Sequence, residues 1–114
     1  MFSPDAFLNL ALVLGKGSSA TEAHWRTGVG RAYYAAYLAC REWGRTGGMT
    51  VTKMGVDHKE TRKWLKDKGK IAAGHKLEKL ASLRGTADYD LDKQITSPNC
   101  VTAITLATDI IAKL

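Results

Sequence analysis

The chain has 114 residues and a mass of 12.4 kDa, enough for one domain with a core of modest size, so we expect a single domain over residues 1–114. Its 45% hydrophobic and 25% charged residues exclude a disordered or membrane-spanning chain, because both need a far more biased composition. The apolar run over residues 7–14 is too short to cross a bilayer and lacks the features of a signal peptide, which predicts a cytoplasmic protein with no membrane partner.

Positive charge is concentrated in one part of the chain. The formal net charge is +6, and residues 53–84 carry ten lysines and arginines against four acidic residues. Such a local field favours binding of RNA, DNA or an acidic partner. A solvated, lysine-rich helix face that keeps a small protein soluble explains the same pattern.

Capping signals and glycines divide the first half of the chain into two helices. Ser3-Pro4-Asp5 predicts a helix start, and the glycines that follow Leu14 predict its end, so the first helix is expected over residues 4–14. The capping-box spacing from Ser19 to Glu22 predicts the start of a long amphipathic second helix, which continues to Gly44.

A loop rich in glycine and threonine follows, and residues 49–54 within it are the only weak candidate for a strand. A capping box that opens at Asp57 predicts a short third helix, which ends at the next glycine. Apolar periodicity from Ile71 predicts a fourth helix that ends near Arg84 or Asp88.

The last predicted helix opens at Ser97-Pro98 and carries an apolar face to the final residue. With no convincing alternating strand, these segments predict an all-α fold, an up-and-down bundle of about five helices. The small residues of the second helix favour close packing between two long central helices.

The second helix also carries an unusual polar segment. Arg31-Ala-Tyr33-Tyr34-Ala-Ala-Tyr37 sets an arginine and three tyrosines among alanines, and a second polar segment, Arg84 to Tyr89, follows downstream. Because alanines let helices approach while arginine and tyrosine bring polar tips into the contact, the pattern predicts a polar cleft. Packing in the core or at a dimer interface is the alternative to base stacking for Tyr33, Tyr34 and Tyr37.

Three segments, residues 26–37 (RTGVGRAYYAAY), 57–59 (DHK) and 83–89 (LRGTADY), resemble the HEPN superfamily of small helical domains. The likeness extends over most of the chain. It implies a homodimer in which an R-x4-6-H motif from each subunit lines a shared cleft. Many members are metal-independent endoribonucleases, often toxins encoded beside a nucleotidyltransferase antitoxin. Other members are nucleotide-binding or protein-binding modules.

The motif that the resemblance leads us to expect is incomplete here. Arg84 matches the motif arginine, but the window after it holds Tyr89 and no histidine. Histidine suits acid–base catalysis near neutral pH, whereas an ordinary tyrosine has a pKa of about 10. His58 and His24 are the candidates to replace the missing group, and we take Arg84, Tyr89 and His58 as the catalytic candidates. A local hydrogen bond or exposure to water is the alternative for both histidines.

Three cationic side chains are candidates for binding RNA phosphate: Arg31, Lys59 and Arg62. Guanidinium groups in particular present paired donors that match phosphate oxygens. Arg31 also has a structural alternative, because an arginine on the tyrosine-bearing face needs a partner. An ion pair between Arg31 and Asp88 would join the second helix to the end of the fourth.

No metal or cofactor is expected from the sequence. Cys40 and Cys100 lie in apolar helical segments without metal-type spacing, which predicts reduced thiols in the core. The three histidines add no zinc-ligand pattern. The glycines at 15–17 and 28–30 lack the spacing of a phosphate loop or dinucleotide fingerprint, which indicates a helix stop and a close-packing site.

The leading hypothesis is a HEPN-type module of a toxin–antitoxin or defence system that binds RNA or nucleotide. Whether it also cleaves RNA without a metal depends on a histidine that reaches Arg84. The alternative is a non-catalytic protein-interaction module that receives a nucleotidyltransferase partner. In relatives paired with such an enzyme, a tyrosine near the motif can be adenylylated, so the resemblance also makes Tyr89 a candidate modification site.

Overall fold

The computed structural model describes residues 1–52 and 55–114, and in these ranges the chain forms five helices and no strand. The helices are α1 (Asp5–Lys16), α2 (Glu22–Thr46), α3 (Val56–Asp67), α4 (Ile71–Tyr89) and α5 (Ser97–Ala112). The prediction of an all-α helical bundle is confirmed. Residues 49–52 of the weak strand candidate are not extended into a sheet, and Lys53 and Met54 lie outside the described residues. None of the helices in these ranges has the length and apolarity that crossing a membrane requires.

The long helix α2 lies at the centre of the bundle and packs against each of the other four helices. Its inward face repeats small and apolar residues at intervals of three and four, and Val29, Ala32, Ala36 and Cys40 are fully buried there. Around it, α1 packs on α5, and α4 packs on both α3 and α5. The small-residue face therefore lets one helix touch four neighbours at once.

Helices α2 and α5 approach closely where Gly28 faces Cys100, and a larger residue than glycine would not fit there. A Cβ atom at Gly28 would lie 2.7 Å from the Sγ atom of Cys100, which is closer than real atoms pack. Both cysteines are buried and free, and burial raises the pKa of Cys40 to about 12. The predicted core positions of Cys40 and Cys100 and the close-packing role of Gly28 are confirmed.

Two helices continue beyond the glycines that were predicted to end them. Helix α1 passes through Gly15 to Lys16, and α2 passes through Gly44 to Thr46. A Cβ atom at Gly44 would lie 2.9 Å from the Cε atom of Met49, so the glycine makes room for a neighbouring side chain. Gly15 and Gly44 therefore serve helix packing, and the C-caps are the next glycines, Gly17 and Gly47. The predicted stop segment, residues 15–17, contains the end of α1, and both helices end two residues later than expected.

The start of α2 also differs from the prediction. Its N-cap is Thr21 rather than Ser19, and the Nδ1 atom of His24 lies 2.9 Å from the Thr21 hydroxyl and 3.1 Å from the Thr21 backbone nitrogen. This reciprocal arrangement is a capping box with histidine in the position that glutamate usually takes. The interpretation of His24 as an exposed residue at a helix start is confirmed.

The sequence predicts that Asp57 caps α3, but in the structure it does not. The helix begins one residue earlier, and the Asp57 carboxylate is buried. One of its oxygens accepts a hydrogen bond of 2.7 Å from the hydroxyl of Thr52, and both lie 3.2 Å from the Thr52 backbone nitrogen. Asp57 therefore ties the segment before α3 to the helix.

Candidate functional site

Three tyrosines of α2 and His58 of α3 form a packed aromatic cluster. The imidazole of His58 stacks on Tyr37 with ring centres 4.0 Å apart and planes 6° from parallel. The ring of Tyr33 is nearly parallel to both, with its centre 5.8 Å from that of Tyr37 and 5.7 Å from that of His58. Tyr34 meets the other rings edge-on. Because Tyr33 and Tyr37 are four residues apart on one helix face, they present a flat surface against which the imidazole fits.

The hydroxyl of Tyr33 lies 2.5 Å from the Nδ1 atom of His58. Burial raises the pKa of Tyr33 to about 12, and only 2% of this residue is exposed. Burial also lowers the pKa of His58, and the nearby charges of Arg84 and Arg62 lower it further. At neutral pH the phenol is therefore protonated and the imidazole is neutral. His58 bonds across to α2 through Nδ1 rather than locally, and within the described residues its Nε2 atom has no hydrogen-bond partner.

Arg84 brings α4 to the same cluster. Its guanidinium carbon lies 5.7 Å from the ring centre of Tyr33 and 5.5 Å from that of Tyr34. Its Nη2 atom donates a hydrogen bond of 3.2 Å to the hydroxyl of Tyr34. Arg84 and His58 thus lie on different helices and both contact Tyr33.

Asp88 forms its ion pair with Arg84, and the pair with Arg31 that the sequence offered as an alternative does not form among the described residues. The Nε atom of Arg84 lies 2.8 Å from Oδ2 of Asp88, one helical turn away. The guanidinium of Arg31 instead lies 5.3 Å from the ring centre of Tyr34 and 5.2 Å from that of Phe7. Arg31 therefore packs between aromatic rings and keeps its charge close to the cluster.

Two further arginines border the cluster. Arg62 lies one turn after His58 on α3, and its charge lowers the pKa of both Tyr33 and His58. Arg41 lies one turn after Tyr37, with its guanidinium carbon 5.7 Å from that ring centre. Arg41 was not among the predicted site residues, although its spacing of four residues from Tyr37 places both side chains on one helix face.

These side chains come from three helices, and we term them the arginine–tyrosine cluster: Arg31, Tyr33, Tyr34, Tyr37, Arg41, His58, Arg62 and Arg84. Lys59, the remaining candidate for phosphate binding, is exposed on α3 beside His58 in the chain. Planar guanidinium donors match phosphate oxygens, and a neutral imidazole accepts a proton near neutral pH. The arrangement is therefore suited to hold a phosphate and to move a proton beside it.

Tyr89 lies at the outer edge of the arginine–tyrosine cluster, at the last position of α4. Its ring centre is 5.5 Å from the guanidinium carbon of Arg84. Tyr89 is 73% exposed, and the nearby Leu91 is 85% exposed, in contrast to the buried Tyr33. Tyr89 is thus the tyrosine of this group that a ligand reaches most easily.

Arg26 holds the end of α4, a role that the sequence analysis did not predict. Its Nη1 atom donates to the carbonyl oxygens of Ala87 at 2.9 Å and Asp90 at 3.2 Å, and its Nη2 atom donates to those of Asp90 and Lys93. Its Nε atom bonds to Glu22 at 2.8 Å. Carbonyl groups at a helix C-terminus lack partners within the helix, and the guanidinium supplies them. No local pattern signals this contact, because the partner carbonyls lie about sixty residues away.

A cavity of about 370 Å³ opens beside α3 but does not include the aromatic rings of the cluster. Among the described residues that line it, the charged side chains are Asp57, Glu60 and Asp67 against Lys63. Acidic side chains of this kind repel phosphate, so this cavity is not a candidate for a site that binds an anion.

The remaining histidine, His75, lies on α4 with 63% of its side chain exposed, and its Nδ1 atom is 4.0 Å from Glu78. Within residues 1–52 and 55–114, no three histidine, cysteine or acidic side chains come together as metal ligands would.

Comparisons of the chain with protein-family models, with curated proteins and with solved structures find no match. The resemblance to the HEPN superfamily therefore stays a prediction that depends on the three sequence segments. What the fold adds is the position of those segments, because residues from all three contribute to the arginine–tyrosine cluster.

Proposed function

We propose that the chain is a HEPN-type RNA-binding module whose arginine–tyrosine cluster cleaves the RNA backbone without a metal ion. The observation that carries this proposal is the hydrogen bond of His58 to Tyr33 beside the guanidinium of Arg84. A neutral imidazole, a buried hydroxyl and a phosphate-binding cation occur together there. The basic segment over residues 53–84 supports a polyanionic substrate.

In the proposed reaction, the neutral imidazole of His58 carries its hydrogen on Nδ1, which donates to the Tyr33 oxygen, and Nε2 is unprotonated. Nε2 removes the proton of a ribose 2′-hydroxyl, and the 2′ oxygen attacks the adjacent phosphorus. The bond from phosphorus to the 5′ oxygen breaks, and the imidazolium returns its proton to that leaving oxygen. The products are a 2′,3′-cyclic phosphate and a free 5′-hydroxyl, and His58 is neutral again. During the cycle the Nδ1–H group of the imidazolium donates to the Tyr33 oxygen, which keeps the ring in place.

The arginines of the cluster act on the charge of the phosphate. Negative charge increases on the phosphate oxygens as the 2′ oxygen attacks, and fixed cations stabilise that charge more than they stabilise the ground state. Arg84 is the best placed for this role, because its contacts with Tyr34 and Asp88 hold the guanidinium beside the aromatic cluster. Arg62 and the exposed Lys59 extend the positive surface along α3.

The direct test is cleavage of a 5′-labelled single-stranded RNA by the purified chain in the presence of EDTA. We expect products that end in a 2′,3′-cyclic phosphate. Arg84→Ala should lower the rate by about 100-fold or more, as the loss of one donor to a developing oxyanion does in other enzymes. Lys79→Ala, which removes an exposed lysine of the same helix, is the matched control and should leave the rate unchanged. Full activity of Arg84→Ala with an intact helical spectrum would contradict the proposed site.

The resemblance supports a setting for this activity, which we propose with it. The chain would act in the cytoplasm as the ribonuclease of a toxin–antitoxin or defence system, together with a nucleotidyltransferase antitoxin. It would do so as a homodimer, which the resemblance implies. Light scattering of the purified chain should give about twice 12.4 kDa, and a 12.4 kDa particle at micromolar concentration would contradict the dimer.

A second candidate function is a non-catalytic module that binds a protein partner. The exposure of Tyr89 and Leu91 beside Arg84 favours it, because an aromatic ring and an apolar side chain next to arginine are typical of protein interfaces. The partner that the resemblance suggests is a nucleotidyltransferase encoded next to this chain. Co-purification with that enzyme, lost in Leu91→Asp and without RNA cleavage by the wild type, would favour this function over the first.

A further inference from the structure

We infer that the ring of Tyr89 is a stacking subsite for an unpaired nucleobase, so that the arginine–tyrosine cluster takes single-stranded RNA rather than a duplex. This inference rests on the proposed RNA-binding function and adds the substrate class. It depends on three features of the described residues: the exposure of Tyr89, its contact with Arg84, and the anchoring of its helix end by Arg26.

The first feature is the free ring surface of Tyr89. Tyr33 and Tyr37 are 2% and 3% exposed, and their rings are occupied by each other and by His58. Tyr34 packs against the guanidinium groups of two arginines. Tyr89, at 73% exposure, has ring surface left for a base, and bases stack on accessible aromatic rings with little regard to sequence.

The second feature is the charge beside the ring. The guanidinium carbon of Arg84 lies 5.5 Å from the ring centre of Tyr89, and the same group is the proposed phosphate ligand. A nucleotide joins its base to its phosphate through a single sugar, so one nucleotide reaches both groups. Stacking on Tyr89 would therefore place the adjacent phosphate at Arg84, close to the Tyr33–His58 pair.

The third feature is that the helix end carrying Tyr89 is held although its ring is exposed. Arg26 donates to the carbonyl oxygens of Ala87 and Asp90 on either side of Tyr89, and the backbone N–H of Asp90 donates to Thr86 at 3.0 Å. A ring on a fixed backbone loses little conformational entropy when a base stacks on it. The guanidinium also offsets the negative end of the α4 dipole, which would otherwise repel a phosphate.

The substrate class follows from these features. Bases inside a duplex are stacked on one another and present only their edges, whereas the bases of a single strand turn outward onto aromatic side chains. A subsite built from one exposed ring next to one guanidinium therefore selects unpaired nucleotides. It makes no base-edge hydrogen bonds of its own and so predicts weak preference among the four bases.

Binding is measured separately from cleavage by using a fluorescein-labelled 2′-O-methyl oligonucleotide of eight uridines, which lacks the 2′-hydroxyl that the reaction needs. Fluorescence anisotropy gives the Kd for the wild type, Tyr89→Ala and Tyr89→Phe, with Leu91→Ala as the matched control on the adjacent exposed side chain. Loss of a stacking ring should weaken binding by about fivefold or more in Tyr89→Ala. Tyr89→Phe and Leu91→Ala should stay within about twofold of the wild type, because stacking needs the ring and not the hydroxyl.

Two further probes complete the test. The duplex form of the same oligonucleotide should bind more weakly than the single strand, and by the same amount in the wild type and in Tyr89→Ala. An oligonucleotide of abasic residues should bind the two proteins equally, because it has no base to stack. Equal binding of the uridine strand by the wild type and Tyr89→Ala, with weaker binding by Arg84→Ala, would overturn the stacking subsite and leave the proposed function intact.

The other outcomes are also decisive. Absence of binding and of cleavage by the wild type would overturn the proposed function and, with it, the subsite. Equal losses in Tyr89→Phe and Tyr89→Ala would show that the hydroxyl is what matters, which overturns stacking. Loss of a nucleotidyltransferase partner in Tyr89→Ala, with unchanged binding of the uridine strand, would assign this surface to protein docking and overturn the subsite. Because Tyr89 is exposed, the variants should keep the wild-type thermal unfolding curve.

Discussion

At the residue scale, the Tyr33–His58 pair couples a buried hydroxyl to an imidazole that is neutral at neutral pH. The phenol has its pKa raised to about 12 by burial, and the pKa of His58 is lowered by burial and by Arg84 and Arg62. Each shift keeps its group uncharged over the physiological range. His58 is therefore available as a base, and its protonation is unfavourable while it is packed between Tyr37 and the arginines.

This packing predicts how stability depends on pH. Because the folded-state pKa of His58 lies below its ordinary value of about 6.5, the unfolded chain takes up a proton first as the pH falls. The stabilising effect of the neutral ring is complete above about pH 6.5 and is lost as the pH falls through the folded-state pKa. The groups that face this ring include Tyr33, Asp57 and Arg41, and Asp57 alone among them favours its protonation.

Urea unfolding between pH 7 and pH 5 measures this dependence. We expect the unfolding midpoint of the wild type to decrease over this range and that of His58→Gln to decrease less. His75→Gln, which changes an exposed histidine of α4, should decrease as the wild type does. An equal decrease in the wild type and His58→Gln would show that other groups control the acid sensitivity.

At the element scale, Arg26 is the link between the start of α2 and the end of α4. Its guanidinium satisfies carbonyl groups of Ala87, Asp90 and Lys93, and its side chain is 16% exposed. Lysine has neither the planar geometry nor the number of donors to replace these bonds. Arg26→Lys should therefore lower the free energy of unfolding by about 2 kcal/mol, as the loss of hydrogen bonds from a charged group does.

Chemical denaturation compares Arg26→Lys with a control at the other end of the same helix. Arg45→Lys keeps the charge next to Glu42 on an exposed surface, so we expect no measurable change in stability there. If the two substitutions have equal effects, the contact of Arg26 with α4 is not the link that we describe.

Two glycines differ in the space that surrounds them: Gly28 lies at a close contact between helices, and Gly85 does not. At Gly28 a methyl group would lie 2.7 Å from the Sγ atom of Cys100, whereas a methyl group at Gly85 of α4 has no atom within 4 Å. Gly28→Ala should cost about 1–3 kcal/mol of stability through overpacking. Gly85→Ala should instead stabilise the helix by about 0.5–1 kcal/mol, because alanine loses less backbone entropy on folding.

Thermal unfolding of the two alanine variants should therefore shift in opposite directions. Combining Gly28→Ala with Cys100→Ala makes space at the contact and should recover part of the loss. Destabilisation of the same size at Gly28 and Gly85 would mean that helix packing does not determine the outcome.

At the scale of the whole molecule, the fold was predictable and the site was predictable only in part. Apolar periodicity and capping residues depend on neighbours within a few positions, so the five helices could be located from the sequence. The continuation of α1 through Gly15 and of α2 through Gly44 could not, because the space at these glycines is set by contacts with Cys100, Met49 and Trp64, which lie outside the two helices. The contact of His58 with Tyr33 has the same long-range origin.

The sequence predicted which kinds of residue form the candidate site better than it predicted which residues contact one another. The arginine and tyrosines of residues 31–37 predict a polar cleft, and in the structure Arg84 lies beside them. The partners were less predictable: Asp88 pairs with Arg84, and the carbonyl groups that Arg26 binds have no sequence signature. A side chain that bonds to backbone carbonyls of a distant helix is invisible to any local pattern.

His58 is the proposed base of a metal-independent ribonuclease, and a comparison of cleavage rates shows whether the reaction needs it. The initial rate of RNA cleavage is measured in EDTA for the wild type, His58→Gln and His75→Gln, all with matched helical spectra. We predict that His58→Gln is about 100-fold slower or more, the usual contribution of a general base, and that His75→Gln is within twofold of the wild type. Equal rates for the wild type and His58→Gln would contradict the account.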